Sequence, residues 1–80
     1  MNKFDKMFET GNRAQLVQME ANDDKSGWDN IDILYANRRI GEIAENMSWT
    51  HDTDYEELIN KAANIANFAH MIILKCKNEM

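Results

Sequence analysis

The chain is 80 residues long, carries a net charge of −5 and has a single cysteine, Cys76. One small domain is expected, with a core made marginal by its size, since a chain this short buries only about 60% of the surface its unfolded form exposes. Cys76 makes no intrachain disulfide, no Cys/His spacing suggests zinc, and the acidic balance argues against gripping a nucleic acid polymer or an anionic membrane.

The first stretch, Met1 to Lys6, leads into no apolar run, so no signal peptide and a cytoplasmic location are expected. No segment approaches the roughly 18 apolar residues of a membrane span. A first helix is expected from about Asn2 to Ala21, with Phe4 and Phe8 one turn apart and Gly11 positioned to break or bend it. Residues 22–30 are dense in turn formers and read as a loop, with Asp29 or Asn30 able to cap a second helix from Ile31 to Met47. The core stripe of that helix is Ile33, Ala36, Ile40, Ile43 and Met47.

Residues 48–52 form the second break. Thr53 followed by Glu56 matches a capping box for a third helix running to about Lys77. Glu57 and Lys61 form a favourably oriented i,i+4 pair on it. Leu58, Ala62, Ile65, Ala69, Ile72 and Cys76 can face one neighbour, and Ala66, Phe68, Met71 and Ile73 widen the apolar arc. A helix apolar nearly all round is buried on more than one side. The second side is most simply another copy, which predicts an all-α homo-oligomer, dimer or tetramer. Asn60, Asn64 and Asn67 form one stripe on this helix, so that stripe is expected to meet something polar.

The residues able to carry chemistry are few. Glu42 and Glu45 form E-x-x-E on the second helix, and both carboxylates can reach one cation. Two carboxylates are half a site for Mg²⁺, and the same pattern describes a solvated helix back with an Arg–Glu pair. Lys25, Trp28, Arg38, Arg39 and Lys61 are candidate phosphate or base contacts, Trp28 alternatively plugging the end of the bundle. His70 reads as a core-edge or interface residue, and the six methionines as core filler.

Taken together, the loop Lys25-Ser26-Gly27-Trp28, the E-x-x-E helix and the segment Ala66-Asn67-Phe68-Ala69 resemble the small phage and bacterial MazG-like nucleotide pyrophosphohydrolases, over about residues 16 to 74. The resemblance implies an oligomeric all-α bundle that cleaves nucleoside triphosphates with Mg²⁺, held by E-x-x-E on one helix and E-x-x-D on the next. Here Glu42 and Glu45 supply the first motif, but Lys61 and Asn64 stand at the acidic positions of the second. A charged lysine has no acceptor for a metal. The metal role of Glu42 and Glu45 is therefore read as weak or vestigial, with no catalytic residue and no cofactor expected.

What the resemblance then implies is a nucleotide-shaped cleft lined by Lys25, Trp28, Arg38, Glu42, Lys61 and Asn64. It would bind a nucleotide or nucleotide-derived signal without hydrolysing it, as a sequestering protein and, in a phage, an anti-defence one acting in the host cytoplasm. Two alternatives remain open at this point. One is an active Mg²⁺-dependent pyrophosphohydrolase using Asp54, Glu56 or Glu57. The other is a protein-binding helical bundle in which the asparagines zip across a dimer interface.

Overall fold

The computed structural model describes residues 3–22 and 32–78, which form three helices: α1 (Asp5–Ala21), α2 (Ile33–Ser48) and α3 (Tyr55–Cys76). Among the described residues there is no strand, and the architecture is all-α. The expected loop with Lys25, Gly27, Trp28 and the caps Asp29 and Asn30 lies outside the described residues.

α1 runs unbroken through Gly11, since one glycine costs a helix only about 1 kcal/mol relative to alanine. It closes where the Asn22 side chain donates to the Gln18 carbonyl at 2.8 Å. α2 starts at Ile33, two residues later than expected, because Asp32 and not Asp29 or Asn30 is its cap: the Asp32 carboxylate accepts the Tyr35 N–H at 2.6 Å. α3 starts one residue later than the capping-box pattern predicts. Asp54 is its cap and accepts the Glu57 N–H at 3.3 Å, while the Thr53 hydroxyl turns to His51 Nδ1 at 2.7 Å. α3 ends at Lys77, and Asn78 takes the left-handed conformation (φ 56°) common just beyond a helix end.

α3 is the central element, with α1 and α2 both packed on it; among the described residues α1 and α2 do not pack against each other. The core is small: Ala36 of α2 meets Phe68 and Met71 of α3, with Met19, Ile40, Ile43 and Ile72 half-buried around them. Tyr35 meets the Phe68 ring edge-on, 6.4 Å between centroids, and the Arg39 guanidinium lies over the same ring at 5.9 Å. The α2 stripe is as expected at Ala36, Ile40, Ile43 and Met47, but Ile33 is exposed. On α3 the buried line is Ala63, Asn67, Phe68 and Met71, whereas Ala62 and Cys76, expected inside, are exposed.

The apolar arc of α3 is covered by α2 on one side and α1 on another, with Ile59 and Ile73 left exposed. No helix among the described residues is long and apolar enough to cross a membrane.

Candidate functional site

The asparagine stripe meets polar groups, and they belong to the same chain. Asn67, only 2% exposed, accepts from Gln15 Nε2 at 3.1 Å and donates to the Gln15 carbonyl at 3.0 Å. Asn64 donates to Gln18 Oε1 at 3.0 Å. Gln15 and Gln18 are three apart on α1, as Asn64 and Asn67 are on α3, so the two antiparallel helices meet through a short ladder of amides. The expected bond from Asn64 to a ligand is, in this structure, a bond to Gln18.

The amide ladder is the signal the sequence offered and the ligand reading passed over. Gln15 and Gln18 lie on the stripe that also carries Phe4, Phe8 and Met19, so polar groups interrupt the apolar face of α1 just as the asparagines interrupt α3.

Lys61 is the most constrained cation described. Its ammonium donates to Thr50 Oγ1 at 2.6 Å and pairs with Glu57 at 3.2 Å, and its side chain is 23% exposed. The Glu57–Lys61 pair is the one its i,i+4 spacing predicts. Lys61 does not pair with Glu42 or Glu45. Glu42 pairs with Arg39 at 2.6 Å, so the Arg–Glu pair on the back of α2 uses Arg39 and not Arg38. Arg38 and Glu45 are exposed on the same helix.

The contacts of Arg39 with Phe68 and of Lys61 with Thr50 fix the antiparallel register of α2 and α3. Glu42 and Glu45, lying between these anchors, are level with the turn that carries Lys61 and Asn64. The two motif positions therefore share one level of the helix pair. Their side chains do not converge: Asn64 turns to α1, Lys61 to the end of α2, and Glu42 to Arg39.

This donor set does not fit a magnesium ion. Hard cations take about six oxygens, and the level offers one arginine-bound and one exposed carboxylate beside an ammonium. Among the described residues no group of three or more His, Cys, Asp or Glu gathers as a metal site.

A separate cleft of about 280 Å³ opens between α1 and α3, lined by Asn12, Gln15, Leu16, Met19, His70 and Leu74 with Asn67 and Met71 at its base. Among the described residues, none of those expected to bind ligand (Arg38, Glu42, Lys61, Asn64) lines it. His70 is exposed and lines its edge. No family model matches the chain, and neither a curated protein nor a solved structure matches it.

Proposed function

We propose that the chain is a MazG-like helical protein, assembled as a dimer or tetramer, that binds a nucleotide or nucleotide-derived signal and releases it unhydrolysed. The observation that carries this reading is the state of Lys61. An ammonium has three N–H donors, and Thr50 and Glu57 take two of them. The third is left for a phosphate oxygen, on a side chain already fixed in position beside the end of α2. A cation built into the chain here occupies the role that a metal fills in the family the sequence resembles. Lys25 and Trp28 would add a phosphate contact and a stacking face, Arg38 a further cation, Glu42 an acceptor and Asn64 a base or ribose contact. Such a protein needs affinity and no turnover, which suits sequestration of a signal.

A second reading is favoured by one observation: Asn64 is already bonded to Gln18, and Asn67 to Gln15. With those amides spent, the bundle reads as a protein-binding scaffold. Thermal shift against mono-, di- and cyclic nucleotides, with and without Mg²⁺, separates the two. A ligand at 100 times its dissociation constant stabilises the native state by about 2.7 kcal/mol, a rise of more than several degrees in Tm for a domain this size. A rise without Mg²⁺, with the nucleotide recovered intact, supports the first reading; no rise at millimolar nucleotide leaves the second.

A further inference from the structure

The whole net charge of the chain stands at one corner. Residues 45–60 hold Glu45, Asp52, Asp54, Glu56 and Glu57 and no lysine or arginine, a charge of −5; the remaining residues, nine acidic against nine basic, are neutral. The stretch is the last turn of α2, the connection after it and the first turns of α3. The connection is tight: the Asp54 N–H donates to the His51 carbonyl at 3.0 Å, and Thr50 Oγ1 is held by Lys61. Glu57 pairs with Lys61, and Asp54 caps α3. Among the described residues the carboxylates of Glu45 and Glu56 have no partner, and Asp52, its side chain 94% exposed, has only His51 at 3.4 Å.

Acidic side chains alone mark only a solvated surface. What distinguishes this corner is the apolar surface among them. Trp49, at the end of α2, is 83% exposed, more than any other large apolar residue described. Tyr55 and Ile59 are 67% and 54% exposed and lie one turn apart on α3, on the side turned away from its buried line. Neither the Trp49 ring nor the Tyr55 ring meets another ring or a cation among the described residues. A single exposed apolar residue is ordinary. Two open aromatic faces and an isoleucine between residues 49 and 59, inside the most acidic stretch of the chain, are not.

Charge and ring chemistry together select what covers this surface. A negative corner attracts a basic partner and repels nucleic acid and anionic membrane. The face of a Trp or Tyr ring attracts a guanidinium, and a carboxylate beside the ring accepts its N–H groups. Arginine does both at once, whereas the ammonium of lysine neither stacks flat nor bridges a carboxylate through two parallel bonds. The fold makes the same contact internally: the Arg39 guanidinium lies over the Phe68 ring at 5.9 Å and donates to Glu42 at 2.6 Å.

We infer that the corner of Trp49, Tyr55 and Ile59, with the carboxylates of Glu45, Asp52 and Glu56 around it, docks an arginine-bearing segment of a partner protein. Guanidinium groups stack on Trp49 and Tyr55 and pair with the carboxylates, and an apolar side chain of the same segment covers Ile59. This goes beyond the nucleotide reading and does not rest on it. Tyr55 and Ile59 lie on a different face of α3 from Lys61, and the test contains no nucleotide.

Anisotropy of a labelled peptide of arginine, leucine and serine, titrated with the full chain, reads the contact. Two further peptides replace every arginine by lysine or by citrulline, its uncharged isostere. The arginine peptide is expected to bind with a Kd of about 1–100 µM, the lysine peptide about 3-fold to 10-fold more weakly, and the citrulline peptide about 30-fold more weakly or worse. Raising salt from about 0.05 to 0.5 M is expected to weaken the arginine peptide about 10-fold, a reading that needs no variant. Trp49→Ala and Tyr55→Ala are each expected to weaken it about 5-fold or more, and Glu45→Gln with Glu56→Gln by a similar factor. Leu34→Ala is the control: Leu34 is 69% exposed at the opposite end of α2, and its substitution is expected to change affinity less than about twofold. Helicity by circular dichroism confirms that each variant is folded. No binding of the arginine peptide at about 1 mM chain overturns the inference. So does a citrulline peptide that binds as well, full affinity in both aromatic variants, or displacement of the peptide by an equal concentration of spermidine, which would show attraction to any polycation.

Discussion

Asn67 is the residue whose replacement tests the α1–α3 seam most sharply. Its amide is 2% exposed and both halves are in use, one accepting from the Gln15 side chain and one donating to the Gln15 carbonyl. Asn67→Ala removes both bonds. At about 0.5–1.5 kcal/mol for each neutral hydrogen bond, the loss is about 1–3 kcal/mol. Gln15 is half-buried and can recover part of its hydration, which holds the expected cost near 2 kcal/mol. A chain of this size has about 4–12 kcal/mol in total, so this is a large share. Asn67→Asp keeps the shape and the acceptor but turns a carboxylate oxygen on the Gln15 carbonyl, with no proton to offer. At pH 7 it is expected to cost more than the alanine variant, because a buried charge is left without a donor on one side. Burial raises the folded-state pKa of that carboxyl above its unfolded value of about 3.9. The penalty is therefore complete above the folded pKa, shrinks as pH falls through it, and is gone below the unfolded value. Urea unfolding followed by circular dichroism at a series of pH values reads both effects. An alanine variant within about 0.5 kcal/mol of wild type, or an aspartate variant milder than the alanine one at pH 7, would refute the reasoning.

Three further outcomes follow from the same structure. Gly11→Ala and Gly41→Ala put a methyl group into open space inside helices, and each is expected to stabilise by about 0.8–1 kcal/mol, a Tm rise of about 4–8 °C; a fall at either site would mean that the glycine is needed for a contact. Asp32→Ala removes the acceptor of the Tyr35 N–H and should cost about 1 kcal/mol in urea unfolding, with Asp32→Asn recovering most of it; equal losses in both variants would show that the cap is not the cause. Purified chain with Mg²⁺ and any common nucleoside triphosphate is expected to release no pyrophosphate above background in a coupled phosphate assay, and efficient release would favour the active pyrophosphohydrolase.

The helices were legible because their signals are local. The period of Ala36, Ile40, Ile43 and Met47 and the polar starts of α2 and α3 need no tertiary information. The start of α3 slipped by one residue because Thr53-x-x-Glu56 and Asp54-x-x-Glu57 are overlapping cap patterns, and the His51 ring draws the Thr53 hydroxyl away. The buried line of α3 was misplaced for another reason. A helix apolar on most of its circumference has little phase information, so Ala62 and Ala63 are not distinguishable by pattern, yet one is exposed and the other buried.

The asparagine stripe announced a polar contact correctly and left its partner undetermined. Asn64 and Asn67 match Gln18 and Gln15 in spacing, but an amide ladder across 52 residues of chain has no local mark. For the same reason the packing of α1 on α3 was not legible. Of the expected ligand residues, Glu42, Lys61 and Asn64 are not brought together: they bond Arg39, Thr50 and Gln18. Where each side chain points was decided by neighbours, Arg39, Thr50 and Gln18, that no motif names.

The central claim is that this chain binds a nucleotide through a built-in cation and without Mg²⁺. Calorimetric titration of the wild type and of Lys61→Ala with the nucleotide giving the largest thermal shift, in the presence of a chelator, tests it most directly. The account predicts saturable heat for the wild type and an affinity about 10-fold to 150-fold weaker for Lys61→Ala, the worth of a charged hydrogen bond to phosphate. Equal affinity in the two proteins, or binding that appears only when Mg²⁺ is restored, would contradict it.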